Sequence, residues 1–210
     1  MKTLEEIIAD CAKIATVPEG TWEADQERLR REEVRDELEA TIPRDLRWAR
    51  FNAPELAGRV VGGADPVARS QAAVRCQYVV WMGHAGTGKT SLATAALRAW
   101  SRDAKRAAMF GRAHHLGTAR IQQRAGSGEA PIVARAIAAP LLLIDDLGAE
   151  AQTQNNAIAD VIRDRFDEEK PLWFTTGLTA NEVAARYDGG AVRRIFERAM
   201  VIQLVRPEPA

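Results

Sequence analysis

The run GHAGTGKT, residues 83 to 90, constrains this chain more tightly than any other feature: Gly83, Gly88, Lys89 and Thr90 fit the pattern G-x-x-x-x-G-K-[ST]. The apolar run QYVVWM precedes it and SLATAALRAW, a helix-forming stretch, follows. A glycine-rich turn from an apolar strand into a helix demands an α/β architecture, since the strand needs neighbours in a sheet and the helix must cover it. The spacing also has a chemical reason. Glycines let the backbone curl until several N–H groups converge on a β-phosphate, and the positive end of the following helix adds to them. Lys89 then reaches the β- and γ-phosphates while the Thr90 hydroxyl binds Mg²⁺. Gly83, His84, Ala85, Gly86, Thr87, Gly88, Lys89, Thr90 and Ser91 are therefore expected to surround a nucleoside triphosphate.

The rest of the chain reads as the remainder of that architecture. Short apolar runs at 77–82, 107–110, 140–145, 171–176 and 200–205 predict five strands, separated by segments long enough for crossover helices. This alternation implies a mostly parallel five-stranded sheet with helices on both faces. At 210 residues the chain holds one such domain and a small appendage. Three further elements bear on chemistry. LLLIDDLGAE, residues 141 to 150, is an apolar strand ending in two acids; Asp145 is placed to hold the metal ion's water shell and Asp146 to orient and deprotonate an attacking water. PLWFTTGL, residues 171 to 178, ends in Thr175 and Thr176, either of which can reach a γ-phosphate or the lytic water if its strand lies beside the acids, although threonine is common on strands in any case. GGAVRRIFER carries Arg193 and Arg194 after a glycine turn, where a neighbouring subunit can use an arginine to offset transition-state charge.

Charge narrows the partners. Lysine and arginine total 29 and so do aspartate and glutamate, so any nucleic-acid contact must be a local patch. The candidates are Arg112, His114, His115, Arg120 and Arg124 on a helix beyond the second strand; Arg120 and Arg124, one turn apart, can follow a phosphate backbone. The two histidines have no carboxylate or cysteine at ligand spacing, and neither do Cys11 and Cys76, so no zinc site is expected. No apolar run is long enough to span a bilayer and MKTLEEIIAD is too acidic for a signal peptide, which points to the cytoplasm. Leu4, Ile7, Ile8, Cys11 and Ile14 recur at helical spacing, and a second, highly charged helix is expected over 22–40, ended by Pro43. The chain thus divides into an N-terminal helical segment, 1–43, the nucleotide-binding domain, 44–206, and a tail, 207–210.

Taken together, the four elements resemble the AAA+ ATPases of the DnaC and IstB type, which are bacterial and phage helicase loaders and transposition helper ATPases. The resemblance covers roughly residues 45 to 205, and LLLIDDLGAE and FTTGLTANEVAARYDGGAVRRIFE carry it most specifically. It implies an ATPase using ATP and Mg²⁺, a sensor at the two threonines and an arginine finger immediately before a large apolar residue, which here is Arg194 ahead of Ile195. Where the family has asparagine after the threonines this chain has Gly177, shifting the sensor role to Thr176. The chain ends at VRPEPA, just after the last strand, so no C-terminal helical lid is expected and nucleotide affinity should lean on a neighbouring subunit in a homo-oligomer.

The resemblance also implies partners: a hexameric replicative DNA helicase, bound by residues 1–43, and single-stranded DNA, gripped by the ATPase assembly. Two other functions remain open, a transposition helper that coats DNA and recruits a transposase, and an ATP switch with slow hydrolysis. A filament on duplex DNA should need a more basic surface than a neutral chain provides. A small-molecule kinase would show lid arginines and a substrate pocket, which these residues do not suggest.

Overall fold

Apolar runs bounded by turns become five strands: β1 (Tyr78–Met82), β2 (Met109–Arg112), β3 (Leu142–Leu147), β4 (Leu172–Thr176) and β5 (Met200–Gln203). The computed structural model describes residues 21–124, 126–187 and 190–205. The first expected helix, with its Leu4 to Ile14 stripe, and the tail at 207–210 lie outside the described residues. The helices are α1 (Thr21–Thr41), α2 (Leu56–Arg59), α3 (Ala64–Ala73), α4 (Lys89–Ala104), α5 (Ala113–Gln122), α6 (Pro131–Ala138), α7 (Asn155–Asp167), α8 (Ala180–Tyr187) and α9 (Gly190–Arg198).

The strands lie in the order β2-β3-β4-β1-β5 and every pairing is parallel. This is a parallel α/β core with helices on both faces, as the alternation of runs implies. Because parallel strands bury both faces, alternate residues feed two cores. Val80, Ile144 and Phe174 pack beneath Leu116, Val133, Ile158, Ile162, Val183 and Ile195 of α5 to α9. Val79, Trp81, Leu143 and Trp173 pack on the other face against Leu92 and Leu97 of α4, with Leu38 and Ile42 from the N-terminal segment. β3 runs to Leu147 rather than ending at residue 145, so both acids belong to the strand. Among the described residues no helix is long and apolar enough to cross a membrane.

The charged helix α1 is braced along its length by pairs one turn apart, Arg31 to Glu27 at 3.0 Å and Arg28 to Glu32 at 3.3 Å. Its last turns belong to the core. Besides burying Leu38 and Ile42, it presents the Thr41 hydroxyl to edge strand β2, where Phe110 N donates to it at 3.0 Å. An edge amide that would otherwise be open is thus satisfied. The helix ends at Thr41, two residues before Pro43, and packing continues on both sides of that proline. Glu39 accepts from Arg98 Nε and Nη2, both at 2.7 Å, and Arg98 also donates to Leu46 O at 3.0 Å.

Replacing Glu39 by alanine leaves a nearly buried guanidinium without its counter-charge. We expect a loss of about 2 kcal/mol, less than for a fully buried pair because water still reaches Glu39. The Arg98 side chain holds the Glu39 carboxyl below the usual carboxylate range. A depressed carboxylate contributes stability that is present above its unfolded pKa and lost as pH falls through its folded value. Denaturant melts should therefore show the deficit at neutral pH and little difference once Glu39 is protonated in the folded and unfolded chain alike.

Candidate functional site

The phosphate-binding pattern lies where the fold needs it, between the end of β1 and the start of α4. Two of its glycines are enforced by space and backbone together. Gly83 has φ 151°, and a Cβ there would lie 2.4 Å from the Leu204 carbonyl oxygen; Gly88 has φ 91°, and its Cβ would lie 2.9 Å from Arg59 O. Within the loop, Thr87 Oγ1 and Lys89 Nζ each donate to His84 O at 2.8 Å. Lys89 is buried. That burial lowers its pKa below the usual lysine range, and the charges of Asp146 and Asp145 pull it back. A triphosphate entering here would relieve this by giving the ammonium an anionic partner in place of a carbonyl.

β4 lies between β1 and β3, so the acids are one strand removed from the loop's own strand, and Thr175 bridges the gap. Thr175 Oγ1 donates to Asp145 Oδ1 at 2.7 Å and accepts from Asp146 N at 2.9 Å. In a regular strand Asp145 and Asp146 would point to opposite faces. Here the β3–β4 register breaks between Ile144 and Leu147, and Asp146 takes φ 54°. That left-handed backbone costs roughly 1 kcal/mol, least for Asp, Asn and Gly. Asp145 stays buried while Asp146 is exposed, lining a cavity of about 180 Å³ with Lys89, Gly148, Gly177 and Leu178.

Burial pushes the Asp145 carboxyl above the usual range and the charge of Asp146 adds to this; hydrogen bonding from Thr175 and from Thr90, with the charge of Arg112, acts the other way. A desolvated carboxylate beside the Thr90 hydroxyl, its burial only partly offset by the charge of Arg112, suits a divalent cation. Among the described residues no three His, Cys, Asp or Glu side chains gather into a metal site. The residues fit Mg²⁺, which is bound by one or two protein oxygens with the remainder from phosphate and water.

A pH dependence follows. Asp145 must be ionised to serve a cation, and its pKa is raised, so Mg²⁺-dependent nucleotide affinity should fall on acidification at a higher pH than an ordinary aspartate would dictate. For folding alone the sign reverses: a raised carboxyl binds more protons folded than unfolded, so cation-free protein gains stability as pH falls through that window. Isothermal titration with MgATP across mildly acidic pH, beside Asp145→Asn, checks the first effect.

Other expected residues are placed differently. The Thr176 hydroxyl donates to Leu147 O at 2.7 Å and accepts from Leu178 N at 3.1 Å. It is fully buried and ties β4 to β3 with neither hydroxyl function left over, so the threonine that meets the acids is Thr175. Residue type alone does not separate the two positions, because both residues are threonine. Gly177 lines the cavity, and an added Cβ would meet nothing closer than Gly83 O at 3.9 Å.

Of the basic candidates, Arg112 is in register with Asp145 on the neighbouring strand. Arg120 is engaged by Glu129 at 2.9 Å and by Ala157 O at 3.2 Å, and α5 ends at Gln122, so Arg120 and Arg124 do not form a helical phosphate track. Arg124 is exposed. Arg194 is exposed on α9 between buried Val192 and Ile195, and it does not line the cavity of its own chain. Arg193 pairs with Glu197 at 3.4 Å.

Comparison with known proteins agrees with this fold. The model of the IstB-like ATP binding proteins matches residues 50–198. Curated proteins show no significant sequence match. A crystal structure of the DnaC helicase loader is similar with a TM-score of 0.67 at 19% identity, over 77% of this chain and 99% of that one. The DnaI crystal structure follows at 0.60 and 18% identity, over 79% of this chain and 93% of that one. AMPPCP-bound DnaA from Aquifex aeolicus gives 0.54 at 17% identity, over 72% of this chain and 50% of that one. At such identities these likenesses establish the shared fold.

Proposed function

The chain belongs to the IstB-like ATP-binding family, and from that premise we propose that it hydrolyses ATP to place a replicative DNA helicase on single-stranded DNA. The observation that carries the hydrolytic part is the acid pair: Asp145 buried beside Thr90, and Asp146 turned into the cavity that holds Lys89. In this reading Lys89 pairs with the β- and γ-phosphates, and Thr90 with Asp145 holds Mg²⁺. The bound ion supplies charge compensation to the phosphates. Asp146 accepts the proton of the attacking water. Arg194 of an adjacent copy compensates the charge that develops on the γ-phosphoryl group, which requires a homo-oligomer.

The choice of cargo draws on likeness to DnaC and DnaI over nearly their full crystallised length, and on α1. Trp22 is 69% and Leu29 46% exposed on a mostly charged helix, and seven residues apart they share a face. We assign residues 1–43 to helicase binding and 44–206 to the ATPase, with Arg124 as the exposed candidate for DNA contact. A transposition helper is the second reading, favoured by the family match itself. Against it stands the neutral chain, with Arg120 already engaged by Glu129.

Light scattering after gel filtration, with the replicative helicase encoded in the same genome and with or without ATP and Mg²⁺, tests the cargo. A complex of defined mass is expected. Absence of a complex in both nucleotide states would sink the loader reading and make the transposase the next partner.

A further inference from the structure

Four residues beyond Asp146, a carboxylate is buried where no nucleotide reaches it. The Glu150 side chain is fully excluded from solvent. Its Oε2 accepts from Gly148 N at 3.0 Å, and its Oε1 accepts from the Tyr187 hydroxyl and faces Arg186 Nε at 3.4 Å. Arg186 Nη2 donates to the Glu150 backbone carbonyl as well. Burial, and then the Glu150 carboxylate, raise the Tyr187 pKa, so the phenol keeps its proton and remains a donor. One buried charge thus joins the end of the 146–149 turn to the last residues of α8.

That turn carries the reactive position. Asp146 is held by little of its own: its amide donates to Thr175, and its carbonyl accepts from Ala149 N at 3.0 Å. Positive φ at Asp146 and at Gly148 makes the turn a conformation that an unsupported chain would seldom hold. Gly148 is also closed in by Leu178, whose Cδ1 would lie 2.4 Å from a Cβ there. An apolar side chain at 150 could fill the same space but could not accept from Gly148 N or pair with Arg186.

We propose that Glu150 is a positioning residue for hydrolysis, fixing the 146–149 turn against α8 so that Asp146 faces the cavity opposite Lys89. This rests on the reading of Asp146 as the group that accepts the proton from water. Glu150 itself touches no reacting atom. Its effect is on the aim of the acid, so it should act on turnover and leave nucleotide binding alone.

The test is single-turnover and steady-state hydrolysis by the full chain carrying Glu150→Gln, Tyr187→Phe or Asp146→Asn, and by the double variant Glu150→Gln/Asp146→Asn, with ATP affinity measured alongside. Glu150→Gln should lower kcat about 10-fold with KM changed less than about 2-fold, as removal of outer-shell support does elsewhere. Tyr187→Phe, which removes one hydrogen bond and no charge, should lower kcat by a smaller factor; it serves if Glu150→Gln does not fold. In the Asp146→Asn background, Glu150→Gln should add no further slowing, since there is no acid left to aim. An equal fold-loss in both backgrounds, a rise in KM matching the fall in kcat, or unchanged kcat in both single variants would overturn the positioning role while leaving Asp146 in place. Full turnover by Asp146→Asn alone would remove the reading of Asp146, and the positioning role with it.

Discussion

Replacing Arg194 by alanine is expected to slow ATP hydrolysis by the assembled protein about 10³- to 10⁵-fold, the range of arginine fingers in phosphoryl transfer. ATP affinity should change little. The reason is geometric: α9 buries Val192 and Ile195 on one side and leaves Arg194 exposed, away from the cavity of its own chain. If a charge so placed acts on a nucleotide, that nucleotide is another copy's. Mixing supplies the decisive control. Arg194→Ala subunits retain Asp146, Asp146→Asn subunits retain Arg194, and together they rebuild sites with both groups. Turnover should return in the mixture when neither parent has it. Lack of recovery, or undiminished turnover by Arg194→Ala alone, would mean that the arginine does not act across an interface.

Asp146→Asn is expected to lower the single-turnover rate by about 10² to 10⁴, the contribution of a positioned general base. Asparagine tolerates the left-handed backbone that Asp146 adopts, so the fold should survive and the loss should be one of proton acceptance. Asp145 remains to serve Mg²⁺, and binding of MgATP should persist. Asp145→Asn should behave in the opposite way, with Mg²⁺ dependence impaired first. Similar defects in both variants would argue that the two acids share one role.

How much of this was legible beforehand varies with the range of the interaction. The phosphate loop, the parallel sheet and the acid pair are encoded locally, in a spacing, an alternation and a strand end. They were readable because each depends on residues adjacent in the chain. Which threonine meets the acids was not, since Thr175 and Thr176 have the same chemistry and only the β3–β4 pairing decides which hydroxyl meets Asp145 and which bonds Leu147 O. Arg120 looked like a DNA contact because Glu129 and Ala157, its partners, come from the following loop and from α7. Glu150 gave no signal for the same reason: an acid after a glycine turn normally stays in water, and here Arg186 and Tyr187, more than thirty residues away, bury it. α1 looked separable because most of its surface is charged; Leu38, Thr41 and Ile42 nonetheless join it to the core and the edge strand.

The most direct test of the central claim is phosphate release from ATP and Mg²⁺ by the wild-type chain, with the helicase and single-stranded DNA present and Lys89→Ala as control. The account predicts repeated turnover that the control abolishes together with ATP binding. Tight ATP binding with no more than slow, partner-independent release would contradict it, and would make the protein an ATP-operated switch in which Gly177 leaves the cavity without a γ-phosphate sensor.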